Sequence, residues 1–148
     1  MKAKRCAALL LLLALAVCLT ACNKSSSTKL GGTWRPVRES ISLDGQVLLT
    51  ATLKDMTDAS TGVEPSLRLD EGGNGSFDLE GGSPTTVTWT ENGNTVTLSA
   101  NGEAMDLTYD EATDQLTLVM EEEGLTAEIV FAREGSEAVT TSRNTSGA

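Results

Sequence analysis

The chain has 148 residues, a net charge of −10 at pH 7 and no histidine. The missing histidine excludes Ser-His and Cys-His nucleophiles, and it also excludes imidazole metal sites. The negative charge repels nucleic acid, so we expect no nucleic-acid partner. Paired carboxylates are the one catalytic route that the composition leaves open.

Residues 1–21 have the layout of a secretory signal peptide. Basic residues precede an apolar run at 6–19, which is too short to span a membrane as a helix, and small residues follow it. Residues 19–22, Leu-Thr-Ala-Cys, resemble the lipobox of bacterial lipoproteins. This resemblance implies cleavage before Cys22 and a diacylglyceryl thioether on its sulfur. An ordinary signal peptide and an uncleaved transmembrane anchor are the alternatives.

The positions of the cysteines favour lipidation. Cys6 and Cys18 lie in the apolar run, which leaves Cys22 alone at the new N-terminus. An unpaired thiol in an exported protein needs an explanation. Two acyl chains supply one, because a single chain, at about 0.8 kcal/mol per buried methylene, binds a membrane only marginally. We therefore expect a protein anchored to the outer, extracytoplasmic face of the cell membrane through the lipid on Cys22.

Cleavage would make the chain more acidic and leave one domain with flanks. Three basic residues leave with the signal peptide while every acid stays, so the net charge falls from −10 to −13. The serine-rich segment 22–30 is predicted to be a flexible tether. The folded domain is expected at 31–134. Residues 135–148 lack apolar periodicity and are predicted to be a disordered tail.

Apolar and polar residues alternate in short runs between residues 86 and 132. Alternation with a period of two indicates strands with one buried and one exposed face. Turn signals such as Asn92-Gly93 and Asn101-Gly102 separate the runs. Val119 and Val130 break the alternation and are expected to point outward. The pattern predicts an all-β antiparallel up-and-down meander.

The pattern upstream is less regular. A first strand is predicted from Thr33 to about Leu43, with Pro36 at an edge or a bulge because proline cannot donate to a ladder. A second strand is predicted to about Leu53, followed by a short helical turn near residues 54–60. The spacing of the apolar residues in this second stretch also fits a helix. A short hairpin then surrounds the glycine-rich turn at 71–75.

A sheet of about nine short strands would expose unpaired backbone groups at its two edge strands. Closure into a small β-barrel removes these edges most completely. A sandwich is the alternative. The first strand opens with Gly32-Thr33-Trp34, which resembles the Gly-x-Trp signature of lipocalins. The last strand ends with Phe131-Ala132-Arg133, which resembles the position whose basic side chain covers that tryptophan in the family. An arginine stacked on an indole would join the first and last strands.

The domain at 31–134 resembles the lipocalin-like domains of small lipoproteins from Gram-positive, Clostridia-type bacteria. The resemblance implies a small apolar ligand inside the barrel. Six inward candidates could line such a cavity: Phe77, Trp89, Leu98, Met105, Leu107 and Leu118.

The alternative is a solid barrel, because eight strands are narrow enough to be filled by their own side chains. The protein would then be a surface module that binds an unidentified protein partner through its exterior. An exposed apolar patch at Val119 and Val130 would favour that interpretation.

We expect no enzyme activity, no metal site and no cofactor. The acids at 110–114 and 121–123 fall in predicted hairpin loops, where a solvated surface is the ordinary explanation. Residues 70–81 begin like a calcium-binding EF-hand loop, but the third and twelfth positions are Gly72 and Gly81. A carboxylate-based hydrolase would require two acids that face each other in a cleft.

Overall fold

The computed structural model describes residues 29–147. The predicted signal peptide, Cys22 and the predicted tether up to residue 28 lie outside the described residues. In chain order the elements are β1 (Gly32–Leu43), β2 (Gln46–Thr52), α1 (Leu53–Ala59), β3 (Ser66–Leu69), β4 (Asn74–Asp78), β5 (Thr85–Asn92), β6 (Thr95–Ala100), β7 (Glu103–Asp110), β8 (Gln115–Glu122), β9 (Leu125–Arg133) and α2 (Glu137–Asn144).

Eight of the nine strands form a closed antiparallel barrel. β1 pairs with β3, the strands from β3 to β9 follow in chain order, and β9 returns to pair with β1. This closure leaves none of the eight with a free edge along the paired part of its length. The predicted up-and-down meander that closes into a small barrel is confirmed, and the alternative sandwich is excluded.

Strand β1 is long enough to have two partners on one side. Its first part pairs with β3 at Gly32–Trp34, and its second part pairs with β2 between Arg38 and Leu43. The register with β9 shifts between Pro36 and Arg38, as expected for a bulge at proline. β2 is therefore the terminal strand of the sheet and lies beside the barrel.

The antiparallel order places the turns at two ends of the barrel. We call one the closed end, which carries residues 29–31 and the turns at 70–73, 93–94 and 111–114. We call the other the far end, which carries the turns at 44–45, 79–84, 101–102 and 123–124.

Alternate residues of the strands fill the barrel, as the period of two predicts. The buried core consists of Leu30, Trp34, Leu67, Leu69, Val87, Trp89, Val96, Leu98, Leu107, Tyr109, Leu116, Leu118, Ile129 and Phe131. Val119 is 48% exposed, but Val130 is only 7% exposed. The expectation of an exposed Val130 is wrong; its register partners are Arg38 of β1 and Thr117 of β8.

Helix α1 confirms the helical turn predicted near residues 54–60. Thr52 and Asp55 form a capping box: the Thr52 hydroxyl accepts from the Asp55 amide, and the Asp55 carboxylate accepts from the Thr52 amide at 2.9 Å. Asp55 also accepts from the amide of Gly147 at 2.6 Å. The amides of Gly147 and Thr52, together with the Thr52 hydroxyl, which donates to Asp55 Oδ2 at 2.7 Å, hold the pKa of Asp55 far below its ordinary value.

The structure contradicts the prediction of a disordered tail at 135–148, because residues Glu137–Asn144 form helix α2. Ser136 caps the helix by accepting from the Val139 amide. Val139 is fully buried in a second, smaller core with Leu53 and Ala132. Only two of the eight helical residues are apolar, so the sequence shows no helical period.

Polar contacts attach α2 to the barrel. The hydroxyl of Ser142 donates to the carbonyl of Val37 at 2.6 Å and accepts from the amide of Leu53 at 2.8 Å. Within residues 29–147, neither helix is long and apolar enough to cross a membrane.

Candidate functional site

The closed end is built around Trp34 and Arg133. The two residues are register partners in β1 and β9, and the guanidinium of Arg133 lies 4.2 Å from the centre of the Trp34 ring. At this distance a cation and an indole face attract each other. Trp34 is fully buried, and its indole Nε1 donates to the carbonyl of Leu30 at 3.0 Å. The stack thus joins the first strand, the last strand and the segment that precedes the barrel.

Arg133 uses its remaining donors on the loops around it. It donates from Nε to Asp114 Oδ2 at 2.9 Å and from Nη2 to Asp114 Oδ1 at 3.1 Å. It also donates to the carbonyls of Gly31 and Lys29, each at 2.9 Å. A forked pairing with a carboxylate is one that arginine can make and lysine cannot.

Tyr109 completes the closed end. Its ring packs edge-on against Trp34 with the ring centres 6.3 Å apart, and its hydroxyl donates to Asp114 Oδ1 at 3.0 Å. Burial, followed by the contact with Asp114, raises the pKa of Tyr109. The contact with Arg133 holds the pKa of Asp114 below its ordinary value, against the opposing effect of burial. The pKa of Arg133 is raised, mainly by its hydrogen bond to Asp114.

Leu30 corrects the predicted extent of the tether at 22–30. Its side chain is fully buried in the barrel core, so the folded domain includes it. Lys29 is next to it at the rim, where its ammonium lies 5.4 Å from the ring centre of Tyr109 and pairs with Glu111 at 2.6 Å. The chain therefore enters the barrel at the closed end.

The other two residues predicted for barrel closure have different positions. Gly32 adopts a φ of +126°, and a side chain there would contact Nη1 of Arg133. Phe131 is fully buried inside the barrel, where its ring lies 6.2 Å from that of Phe77. Gly32 thus borders the stack, whereas Phe131 belongs to the interior.

The barrel interior brings together all six side chains predicted to line a cavity, and they belong to one cluster. Their burial differs along the barrel. Trp89, Leu98, Leu107 and Leu118 are buried, whereas Phe77 and Met105 are only half-buried.

The half-buried interior residues lie toward the far end. Besides Phe77 and Met105, they include Leu79 of the β4–β5 turn and Ala100 at the end of β6. The interior is therefore apolar along its whole length. Its side chains are fully buried toward the closed end and only half-buried toward the far end. An apolar molecule could contact these four side chains without displacing the stack at the other end.

Outside the barrel, a pocket of about 480 Å³ lies between α2 and the sheet. It is lined by Val37, Thr52, Glu137, Ala138, Thr141, Ser142 and Thr145.

Beside α2, four charged groups form an ion-pair cluster. Arg143 pairs with Glu64 at 2.6 Å and with Glu134 at 2.8 Å, and Arg35 pairs with Glu134 at 2.5 Å. The pKa of Glu64 is lowered, first by its hydrogen bond to Arg143. Each carboxylate has an arginine partner, so this cluster positions the helix and offers no free acid or base.

Among residues 29–147, no group of three or more potential ligands is arranged to hold a metal ion. Glu91 of β5 has its Oε2 buried and without a hydrogen-bond partner among the same residues. It is one carboxylate, and a carboxylate-based hydrolase needs an opposing pair.

Sequence analysis missed the roles of Asp114 and Leu30. Asp114 was assigned to a solvated acidic loop because its sequence neighbours are acidic and polar. Its ion pair joins residues that are 19 positions apart, so no local pattern could indicate it. For Leu30 a signal existed, since it is an isolated large apolar residue directly before Gly31.

Comparison with known proteins gives no match to a family model and none to a curated protein sequence.

Proposed function

We propose that the protein is a lipid-anchored extracytoplasmic lipoprotein whose lipocalin-like barrel binds a small apolar ligand through its far end. The observation that carries this proposal is the asymmetry of the interior. The closed end is sealed by Leu30, Trp34 and the Arg133 stack. At the far end, Phe77 and Met105 stay half-buried on the same interior surface.

The lipid anchor is proposed at Cys22, and the path of the chain supports an orientation for it. Lys29 lies at the closed end, seven residues after Cys22. Seven extended residues reach about 25 Å, at about 3.5 Å each. The closed end would then face the bilayer, and the far end would be free to accept a ligand from outside.

The charges around the far end restrict the class of ligand. Asp78, Glu80 and Glu103 lie at or beside its turns, and residues 69–132 contain no lysine or arginine. An anionic lipid such as a fatty acid would find no counter-charge there. We therefore propose a neutral or cationic apolar ligand and a non-enzymatic binding role.

A second candidate function is a barrel with a solid interior that binds a protein through its outer surface. A specific observation favours it, namely the exposed apolar residues on β1, β2, β8 and β9. The two functions use different surfaces, so they can be tested separately.

Native mass spectrometry of the purified protein, incubated with a lipid and metabolite extract, tests the ligand proposal. We expect a discrete added mass on the wild type. Met105→Trp should remove it by filling the far end, whereas Val119→Trp, at an exposed apolar position on the outer face of β8, should retain it. No adduct on a folded protein, or equal adducts on both variants, would reject binding inside the barrel.

Cell fractionation tests the anchor. Cys22→Ser should release the folded protein from the membrane fraction or block its processing, because the sulfur that would carry the lipid is gone. Unchanged membrane retention of correctly processed Cys22→Ser protein would reject the lipoprotein assignment.

A further inference from the structure

Exposed apolar side chains are concentrated on two hairpins. Residues 29–147 contain eight large apolar side chains classed as exposed, and seven of them lie on the β1–β2 and β8–β9 hairpins. We call these seven the apolar platform: Leu43, Val47, Leu48, Leu49, Val119, Met120 and Leu125. The eighth, Val63, lies elsewhere, in the loop before β3.

The two hairpins lie side by side and form one four-stranded part of the sheet. The register groups Leu43, Leu49, Met120 and Leu125 on one of its faces and places Val47 and Val119 on the opposite face. Leu43 of β1 is the register partner of Leu125 of β9. The amide of Asp44 in one turn donates to the carbonyl of Gly124 in the other at 3.0 Å. Contiguous exposed apolar surface is uncommon on monomeric proteins and marks interaction sites.

Strand β2 adds a backbone edge to this surface. It is the terminal strand of the sheet and pairs with β1 on one side. Its sequence, Gln-Val-Leu-Leu-Thr-Ala-Thr, has no charge and no proline, the residues that usually protect such an edge from pairing.

A groove of about 490 Å³ follows this strand, at the edge where a peptide segment could add a further strand. The groove is lined by Val47, Leu48, Leu49, Thr50, Ala51, Asp55 and Gly147. Gly147, at the C-terminal side, approaches the carbonyl of Thr50, so the chain itself covers one part of the edge. The part from Gln46 to Leu49 carries the most exposed side chains of the strand.

The charges on the two hairpins have a single sign. Residues 39–53 and 115–132 contain six acids and no lysine or arginine. The acids are Glu39, Asp44, Glu121, Glu122, Glu123 and Glu128. Arg38, at the border of the first segment, already pairs with Glu128 at 2.7 Å. The surface around the apolar platform therefore favours a cationic partner.

We propose that the apolar platform docks an extended apolar segment of a partner protein that carries lysine or arginine residues. The segment adds a strand to β2 between Gln46 and Leu49 and places a basic side chain near Asp44, at the end of β2. The acids at 121–123 lie three strands from β2 and attract the segment at longer range. Main-chain hydrogen bonds would supply affinity, and alternate side chains would supply specificity. This inference does not depend on a ligand inside the barrel.

The same charges argue against two other occupants. A second copy of this chain would bring six more acids and no bases onto the platform, and like charges across an interface are repulsive. Anionic membrane headgroups would be repelled for the same reason.

Fluorescence anisotropy with the full-length chain in a neutral detergent tests the proposal. The probe is a labelled peptide, matched to β2 in length, in which valine and lysine alternate, and the matched control peptide alternates valine and glutamate. We expect the lysine peptide to bind more tightly than the glutamate peptide, and to bind less tightly as salt increases.

Two protein variants locate the binding. Leu49→Lys places a charge on the exposed part of β2 and should weaken binding by about tenfold or more. Val63→Lys makes the same type of change at the exposed apolar residue off the platform and should leave binding unchanged. Circular dichroism checks that both variants are folded.

Three outcomes would overturn the proposal. One is that the lysine peptide does not bind, and another is that it binds equally to Leu49→Lys and Val63→Lys. The third is a dimer in sedimentation velocity that Leu49→Lys dissociates, which would assign the platform to a second copy.

Discussion

Arg133 lies over Trp34, 4.2 Å from the centre of its ring, and the two residues are register partners in the last and first strands of the barrel. The same guanidinium pairs with Asp114 and donates to two backbone carbonyls. One side chain thus joins β9, β1, the β7–β8 turn and the entering chain. This arrangement makes the closed end the part of the barrel where single substitutions should have the largest effects.

Trp34→Ala should lower the free energy of unfolding by about 3 to 5 kcal/mol, because it leaves a cavity beneath Arg133 and removes a fully buried indole. Urea denaturation measures the loss. A loss below about 1 kcal/mol would show that the indole is peripheral to the fold.

Arg133→Lys should cost about 1 to 2 kcal/mol although the charge is kept, because lysine cannot make the forked pair with Asp114 or present a planar face to Trp34. Arg38→Lys is the matched control, since Arg38 is more exposed and pairs with Glu128. It should change the free energy of unfolding by less than about 0.5 kcal/mol. Equal losses in the two variants would assign Arg133 the role of an ordinary surface charge.

Asp114 should make stability depend on pH in the acid range. Its pKa is lowered in the folded protein, mainly by Arg133, from a reference value of 3.8. A lowered folded pKa gives a stabilisation that is complete above the unfolded pKa and is lost as the pH falls through the folded pKa. The stability difference between the wild type and Asp114→Asn should therefore shrink as the pH falls below about 4, in urea denaturation at a series of pH values.

Glu103→Gln is the control for this pH dependence, because Glu103 is exposed at the far end. Its stability should follow that of the wild type at every pH. A difference between the wild type and Asp114→Asn that stays constant down to about pH 2 would contradict the assigned ion pair.

Local patterns were enough to predict the barrel but not everything attached to it. The alternation in β5 to β9 and the turn residues between these strands determine which side chains face inward. The stack of Arg133 on Trp34 could be predicted because the resemblance to lipocalins links these two distant positions. The six interior residues followed from the same alternation, but how well they are covered depends on the packing at each end of the barrel.

Helix α2 and Asp114 show where sequence patterns fail. Ala138 and Val139 are the only apolar residues of the helix, so its stability depends on contacts with Leu53, Val37 and the ion-pair cluster. Asp114 is held by Arg133, which is 19 positions away. In each case the deciding neighbour is far away in the sequence.

Arg143→Ala should detach α2 without unfolding the barrel. The substitution removes the pairs with Glu64 and Glu134, and it leaves a helix with few apolar contacts of its own. Hydrogen exchange should become faster in residues 137–144 and stay slow in β5 to β9. Arg68→Ala removes a pair between exposed residues and is the control, with no expected change in α2. Unchanged exchange in Arg143→Ala would show that Val139 and Ser142 hold the helix alone.

Gly75→Ala should destabilise the barrel although glycine is usually a poor strand residue. A methyl group at this buried position would overlap the carbonyl oxygen of Arg68 in β3 and lie 3.3 Å from Val87 Cγ2 in β5. The strands must move apart to accommodate it, at a cost of about 1 to 3 kcal/mol in the free energy of unfolding.

Gly82→Ala is the matched control, because a methyl group there has no neighbour within 4 Å. Its free energy of unfolding should stay the same or rise slightly, since alanine restricts the unfolded chain. Urea denaturation of the two variants separates close strand packing from a general effect of replacing glycine, and equal stability of both would contradict the packing assigned to Gly75.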